Sequence, residues 1–298
     1  MCIYNLDKIS HNNFLTTNVV KKKMINTKDY NSLVQKLREF FLRKGFLEVP
    51  VQSRLSILAA CEDPFTVEQF NWANKVWPLP QTGQMWLEYE LLKTPDVPGV
   101  FCISTSYRNE PNPIPGRHET IFPMFEFESK GTMVDLIKME SELLQYLDLP
   151  LPTLHDYEKL AKEYEVDILE TEHEQKMCEK YGEATIIQHF PERTSPFWNM
   201  RHKGDGIFNK VDVILYGQET IGSAERATDK VEMRHMFETI SNGGYKEKLY
   251  DLFGKDRVEK ELDEYFDNEF FPRFGGGIGV TRLIRALKMR EKELELTL

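Results

Sequence analysis

Two stretches constrain what this chain can fold into: 101–130, FCISTSYRNEPNPIPGRHETIFPMFEFESK, and 271–287, FPRFGGGIGVTRLIRAL. An apolar run (Val100, Phe101, Cys102, Ile103) leads into Arg108 and Glu110. A Pro/Gly-rich loop then carries Arg117 and His118, and the run from Phe122 to Glu128 alternates apolar with acidic residues. This predicts strand, loop, strand, with cations at the end of the first strand and in the loop. In the second stretch a glycine run precedes an amphipathic helix bearing Arg282. Arginines on rigid elements suit a polyphosphate, because a guanidinium forks onto two phosphate oxygens and keeps its charge. Glycines at a helix start let the backbone approach such a ligand closely. Gly275–Thr281 lacks the lysine of G-x-x-x-x-G-K-[ST], and no G-x-G-x-x-G follows an early strand, so neither of those phosphate-binding designs applies.

A third signal is a spacing. In DVILYGQETIGSAER, Asp212, Glu219 and Arg226 stand seven residues apart. An odd offset flips sides on a straight strand, so the two acids share a face only if the chain breaks between them. Tyr216-Gly217 is placed to make that break. A hairpin with solvated charges would read the same way.

The remaining segments read as framework. Residues 1–27 have no period and include the basic cluster Lys21-Lys22-Lys23, a solvated lead-in. Leu33, Leu37, Phe40 and Phe41 predict a helix from Asp29 to Lys44, ended by Gly45 and followed by a strand over Phe46–Val51. Gln81–Glu88 reads as a turn opening a helix. Residues 131–147 form a helix with an apolar stripe, stopped by Pro150 and Pro152. Residues 153–183 read as charged and helical, with His155 and His173 at the surface. Ser195–Met200 starts a strand, and Lys210–Tyr216 is the next. Residues 228–269 read as two connecting helices broken at Asn242-Gly243-Gly244, and the last helix runs to about Met289 before a frayed tail.

Composition sets the outer bounds. A chain of 298 residues and 35.0 kDa, 41% hydrophobic and 29% charged, can bury a large core as an ordinary globular protein. No apolar run reaches membrane-spanning length, and the N-terminus has no secretory pattern. The four cysteines, at 2, 61, 102 and 178, form no CxxC, which argues against a zinc site or disulfide framework and for reduced cytoplasmic thiols. The net charge of −10 weighs against tight binding of a nucleic acid, which favours a basic surface.

The two long stretches resemble motifs 2 and 3 of the class II aminoacyl-tRNA synthetases: Arg108-Asn109-Glu110, Arg117-His118, Phe122 and Glu126-Phe127-Glu128, then Gly275–Leu283. The helix, strand and proline ending at Pro50 resemble motif 1, the family's dimer interface. Thr82–Glu88 resembles the S-G-Q-L-x-L-E segment of asparaginyl enzymes, and the acid-x6-acid pair with its following arginine resembles the Asp/Asn/Lys subclass. Pro50–Arg54 is similar to free-standing ammonia-dependent asparagine synthetases, and Gly222–Arg226 resembles both archaeal asparaginyl enzymes and a related asparagine synthetase.

This resemblance implies an α+β fold, a mostly antiparallel β-sheet flanked by helices, with a lead-in over 1–28 and a catalytic domain over 29–298 that lacks an anticodon-binding domain. It implies a cytoplasmic homodimer that attacks the α-phosphate of ATP with an amino-acid carboxylate. Arg108, Glu110 and Arg282 would form the catalytic set. Arg117, His118, Phe122, Glu219 and Gly279 would bind ATP with Arg108 and Arg282, and Gln84 and Arg226 would hold the amino acid. Asp212 and Glu219 would bind Mg²⁺. Several positions depart from the family. Ile221, Ser223 and Ala224 stand where the family has more glycine. Ile121 stands where a glutamate usually reads the adenine edge. Leu87 stands where aspartate-specific enzymes carry a lysine. The first expectation is an asparagine synthetase-like enzyme using aspartate and ammonia. The others are an aminoacyl ligase charging a tRNA, protein or small molecule, and a non-catalytic nucleotide-binding paralogue.

Overall fold

A computed structural model describes residues 25–51, 55–58, 62–109, 113–114, 117, 119–194 and 196–296. The lead-in cluster Lys21-Lys22-Lys23, Gln52-Ser53-Arg54, Glu110, His118 and Ser195 lie outside the described residues.

Helix α1 (Thr27–Arg43) starts where the Asn26 side chain accepts from the backbone of Lys28 and Asp29, at 2.9 and 3.2 Å. It buries Leu33, Val34, Leu37, Phe40 and Phe41. Strand β1 (Leu47–Glu48) is shorter than its sequence predicts, since Pro50 has no N–H to continue the ladder. A small hairpin follows, β2 (Gln69–Trp72) and β3 (Lys75–Pro78), then α2 (Gln84–Lys93), β4 (Gly99–Tyr107), β5 (Ile121–Lys130) and α3 (Met133–Tyr146). The segment expected to be wholly helical is β6 (Thr153–Asp156), α4 (Tyr157–Glu163) and α5 (Thr171–Tyr181). His155 is half-buried on that edge strand, with its ring 4.1 Å from that of Tyr181. His173 is buried rather than on the surface, because its Nδ1 caps α5 by accepting from the Glu170 N–H at 2.9 Å.

Strand β7 (Ala184–Pro191) has no counterpart in the sequence reading. Residues 196–200 form a turn rather than a strand, because Trp198 packs into the core there, and only Met200 bridges to Arg226. The short β8 (His202–Gly204), β9 (Ile207–Leu215) and β10 (Gln218–Glu225) come next. Three helices follow instead of two: α6 (Lys230–Thr239), α7 (Gly244–Phe253) and α8 (Lys255–Phe266). Gly254 at φ +87° breaks the second pair, a conformation few other residues adopt. The chain closes with β11 (Arg273–Gly279) and α9 (Val280–Leu296), which continues through the tail expected to fray.

The large sheet runs β1-β4-β5-β11-β10-β9-β7-β6, with β8 beside β9. It is antiparallel except at its two edges, where β1 lies parallel to β4 and β6 to β7. One face is apolar: Phe125, Phe127, Val211, Val213, Ile221, Phe274 and Ile278 pack against α1, α3 and α9. The opposite face carries the polar residues.

Here the glycine run has a place other than the one expected. Gly275, Gly276 and Gly277 lie inside the central strand β11, not at a helix start. A Cβ at Gly275 would overlap the Glu128 carboxylate, and one at Gly277 would stand 2.6 Å from Met124 Cε and 3.1 Å from Gln84 Nε2. On the apolar face a Cβ at Gly276 would stand 2.6 Å from Ser223 Cβ.

The room left by Gly275 holds a buried ion network. Arg226 donates to Glu128 through Nε at 3.0 Å and to Gln84 Oε1 through Nη2 at 2.6 Å. Arg273 donates to Glu88 Oε2 at 2.7 Å, and the same oxygen accepts from the Tyr265 hydroxyl at 2.8 Å. Asn199 donates to Glu88 Oε1 at 2.6 Å. Both arginines and both glutamates are at most 1% exposed. Beneath the sheet, Glu140 of α3 accepts from Ser223 Oγ at 2.7 Å while its Oε2 has no hydrogen-bond partner. Burial pushes Glu140 up to about 8, against the Ser223 hydrogen bond and with help from the Asp212 charge.

Two predictions follow from these buried charges. Arg226→Met strands Glu128 in a dry site, so chemical denaturation should show a loss of about 3–5 kcal/mol; a loss within error of zero would refute the pairing. For Glu140, the folded state keeps a proton that the unfolded chain releases near ~4.3, so stability falls by about 1.4 kcal/mol per pH unit as pH rises toward its folded value. Glu140→Gln still accepts from Ser223, so its melting temperature should gain on wild type between about pH 5 and pH 8. Parallel curves would contradict a neutral Glu140.

Candidate functional site

The pocket lies on the polar face of the sheet, over β11. Four segments build it: the start of α2, the β4–β5 strand pair, the β9–β10 hairpin and the first turn of α9. Gln84, Arg108, Arg117, Phe122, Glu219, Gly279 and Arg282 all line it. Seven residues proposed from sequence are thus brought to one cavity.

The hairpin explains the seven-residue spacing. Tyr216 and Gly217 take φ of +49° and +71°, a two-residue turn that places Glu219 opposite Ile214. Ile214 and Asp212 share a face of β9, so Glu219 and Asp212 do too. A bulge between Glu219 and Ile221 then shifts the register by one, so that Gly222 rather than Ile221 faces Asp212. The absent side chain leaves the gap between the acids: a Cβ there would lie 3.1 Å from Glu219 Oε1 and 3.6 Å from Asp212 Oδ1.

Each acid has a protein cation nearby. Lys210 Nζ is 2.8 Å from Asp212 Oδ2, and Arg282 Nη1 is 3.7 Å from Glu219 Oε2 while donating to the Glu219 carbonyl at 2.9 Å. Asp212 Oδ1 is buried without a hydrogen-bond partner. Burial raises Asp212 to about 7, Lys210 opposes this, and Glu219 adds to it. Burial acts upward on Glu219 as well, but Arg282, Lys210, Arg108 and Arg117 outweigh it and hold Glu219 below the usual carboxylate range.

Arg108 leaves the end of β4 with its guanidinium 5.5 Å from the Phe122 ring centroid, and its buried Nε has no hydrogen-bond partner. Arg117 is already engaged: it pairs with Glu174 of α5 at 2.6 Å, and the other Glu174 oxygen accepts from the Glu219 N–H at 2.6 Å. Burial raises Glu174, with Arg117 opposing. Glu126, fully buried on β5, accepts from the Gly83 N–H at 2.9 Å and fixes the start of α2 that carries Gln84.

Arg226 does not line the pocket; it lies behind Gln84 and orients it. Asp212 also lies behind the lining, beside Glu219. The sequence reading passes over Lys210 and Glu174, and names Glu126 only as part of a motif. Lys210 was legible, since a residue two before an acid on a strand shares its face. Glu174 sits in a charged helix with no local signal. Among the described residues no group of three or more His, Cys, Asp or Glu is placed to hold a metal.

No curated protein matches the chain in sequence. Solved structures with the same fold include asparaginyl-tRNA synthetase from Pyrococcus horikoshii complexed with asparaginyl-adenylate: TM-score 0.72, 20% identity, 87% of this chain and 64% of that one. Asparaginyl-tRNA synthetase from Entamoeba histolytica gives TM-score 0.68, 19% identity, and 87% and 63% coverage. Aspartyl-tRNA synthetase from the same organism gives 0.66, 17%, and 88% and 55%. This chain therefore spans less than two thirds of the length of these neighbours. The model of the family "tRNA synthetases class II (D, K and N)" matches residues 7–293, and the chain belongs to that family.

Proposed function

We propose that this chain is an ATP-dependent ligase that activates an aspartate- or asparagine-type amino acid as its acyl-adenylate, with pyrophosphate released. The observation carrying this reading is the convergence of Arg108, Phe122, Glu219 and Arg282 on one pocket over a glycine strand. In this reading Arg108 meets the α-phosphate and the incoming carboxylate, Phe122 supports the adenine, and Arg282 and Arg117 meet the outer phosphates. The chemistry needs positioning and charge neutralisation rather than a nucleophilic side chain. Arg117 would exchange Glu174 for phosphate. Glu110 and His118, outside the described residues, keep their proposed places in the catalytic set and among the phosphate ligands.

Asp212 and Glu219 fit a hard divalent ion. They share a face, the gap at Gly222 separates them, and one Asp212 oxygen is buried without a hydrogen-bond partner. Mg²⁺ commonly takes one or two carboxylates and completes its shell with phosphates and water, so a third protein ligand is not needed. Bound there, the ion would neutralise phosphate charge.

For the acceptor, the proposal is ammonia with aspartate as substrate, giving asparagine. The net charge of −10 and the resemblance over Gly222–Arg226 support it. One observation favours a second reading, an aminoacyl ligase for asparagine: Gln84 faces the pocket while the charge of Arg226 is offset by Glu128. A neutral amide suits that wall better than a carboxylate.

Amino-acid-dependent ATP–pyrophosphate exchange with Mg²⁺, across the twenty amino acids, tests both. Exchange with aspartate supports amidation, and exchange with asparagine supports aminoacyl transfer. Arg108→Ala and Arg282→Ala should each lower exchange about 10²–10³-fold while the far-UV spectrum stays native. Unchanged exchange in either variant would refute the assigned site.

A further inference from the structure

Lys210 is a lysine held in place beside an acid pair. Its side chain leaves β9 on the face of Asp212, with Nζ 2.8 Å from Asp212 Oδ2 and 4.1 Å from the centre of the Phe190 ring on β7. Only 22% of the side chain is exposed. Opposite it on β10 is Ala224, which leaves room for the long stem. An ammonium between a carboxylate and a ring face is fixed on two sides, by charge and by cation–π attraction. The neighbouring acid, Glu219, has Arg282 as its own cation at 3.7 Å. Two carboxylates thus meet two cations supplied by the chain.

We propose that Lys210 is a positioning residue that acts as resident counter-ion to Asp212, so that this acid pair binds a divalent ion weakly by itself and takes one up together with a nucleotide. This rests on the reading of Asp212 and Glu219 as ligands of a nucleotide-borne ion. The physical reason is repulsion: a divalent ion at Asp212 would sit within a few ångströms of a fixed ammonium, in a site where little water screens the two. A polyphosphate arriving with the ion adds negative charge that can satisfy Lys210 and Arg282. Lys210 therefore sets the order of binding without touching the reacting atoms.

The test uses Mn²⁺, with free ion followed by electron paramagnetic resonance, against the full-length chain without nucleotide. Wild type should bind at millimolar concentration or weaker. Lys210→Met should bind at least tenfold more tightly, Lys210→Arg should stay weak, and the double variant Lys210→Met/Asp212→Asn should lose the gain. Lys210→Gln, which can still donate to Asp212, gives the same comparison if the methionine variant does not fold. Equal Mn²⁺ binding by wild type and the neutral variants would overturn the proposal, as would tight binding by wild type. A parallel titration with Mn²⁺ and a non-hydrolysable ATP analogue separates this outcome from failure of the ligase reading. If wild type ignores the analogue while Lys210→Met still gains Mn²⁺, the ligase reading falls and the counter-ion role stands.

Discussion

The arrangement depends on a strand with three successive glycines at the centre of the sheet. Within the sheet, among the described residues, β11 joins two antiparallel units, β4–β5 on one side and β9–β10 on the other. Wherever its glycines sit, a neighbour fills the space: the Glu128 carboxylate at Gly275, Met124 and Gln84 at Gly277, Phe127 and Ser223 at Gly276. The residues that build the pocket floor come from separate strands and can approach only because the strand between them is bare. The glycines thus accommodate protein side chains, and two of them, Gly277 and Gly279, also line the pocket.

Charge compensation is the second organising constraint. The buried face beneath the pocket pairs two arginines with two glutamates, and the pocket pairs Lys210 with Asp212, Arg282 with Glu219 and Arg117 with Glu174. Buried charge is tolerable only when paired, and each pairing also fixes a side chain in one orientation. Arg226 illustrates this, since its hydrogen bond to Gln84 turns that amide toward the cavity.

Much of this is legible in the sequence. The strand-loop-strand over 101–130, the acid at 219 and the arginine at 282 reach the same pocket, with Asp212 just behind Glu219, because alternation and turn chemistry are local properties that a sequence displays. The bulge at Thr220 was not legible: it shifts the register by one residue and depends on what Gly222 must face across the sheet. The glycine run was read as a helix start because glycine has little strand preference, and tertiary packing overrode that. β7 was missed since Ala184–Pro191 follows a charged helix without a turn signal stronger than Gly182. Arg226 was assigned to the amino acid directly, and its burial behind Gln84 depends on Glu88 and Glu128, far away in the chain.

The place of β11 has a consequence for how the chain is made. Its partner residues run from Met124 to Lys130, yet β11 itself begins only at Arg273. During synthesis β5 and β10 must each wait with an open edge until the last strand emerges, and a contact of such long sequence separation closes late and slowly. Open edges recruit other strands, so a nascent chain halted before Arg273 would be exposed to aggregation at the surfaces the finished protein hides. That exposure is set by topology rather than by the stability of the finished fold.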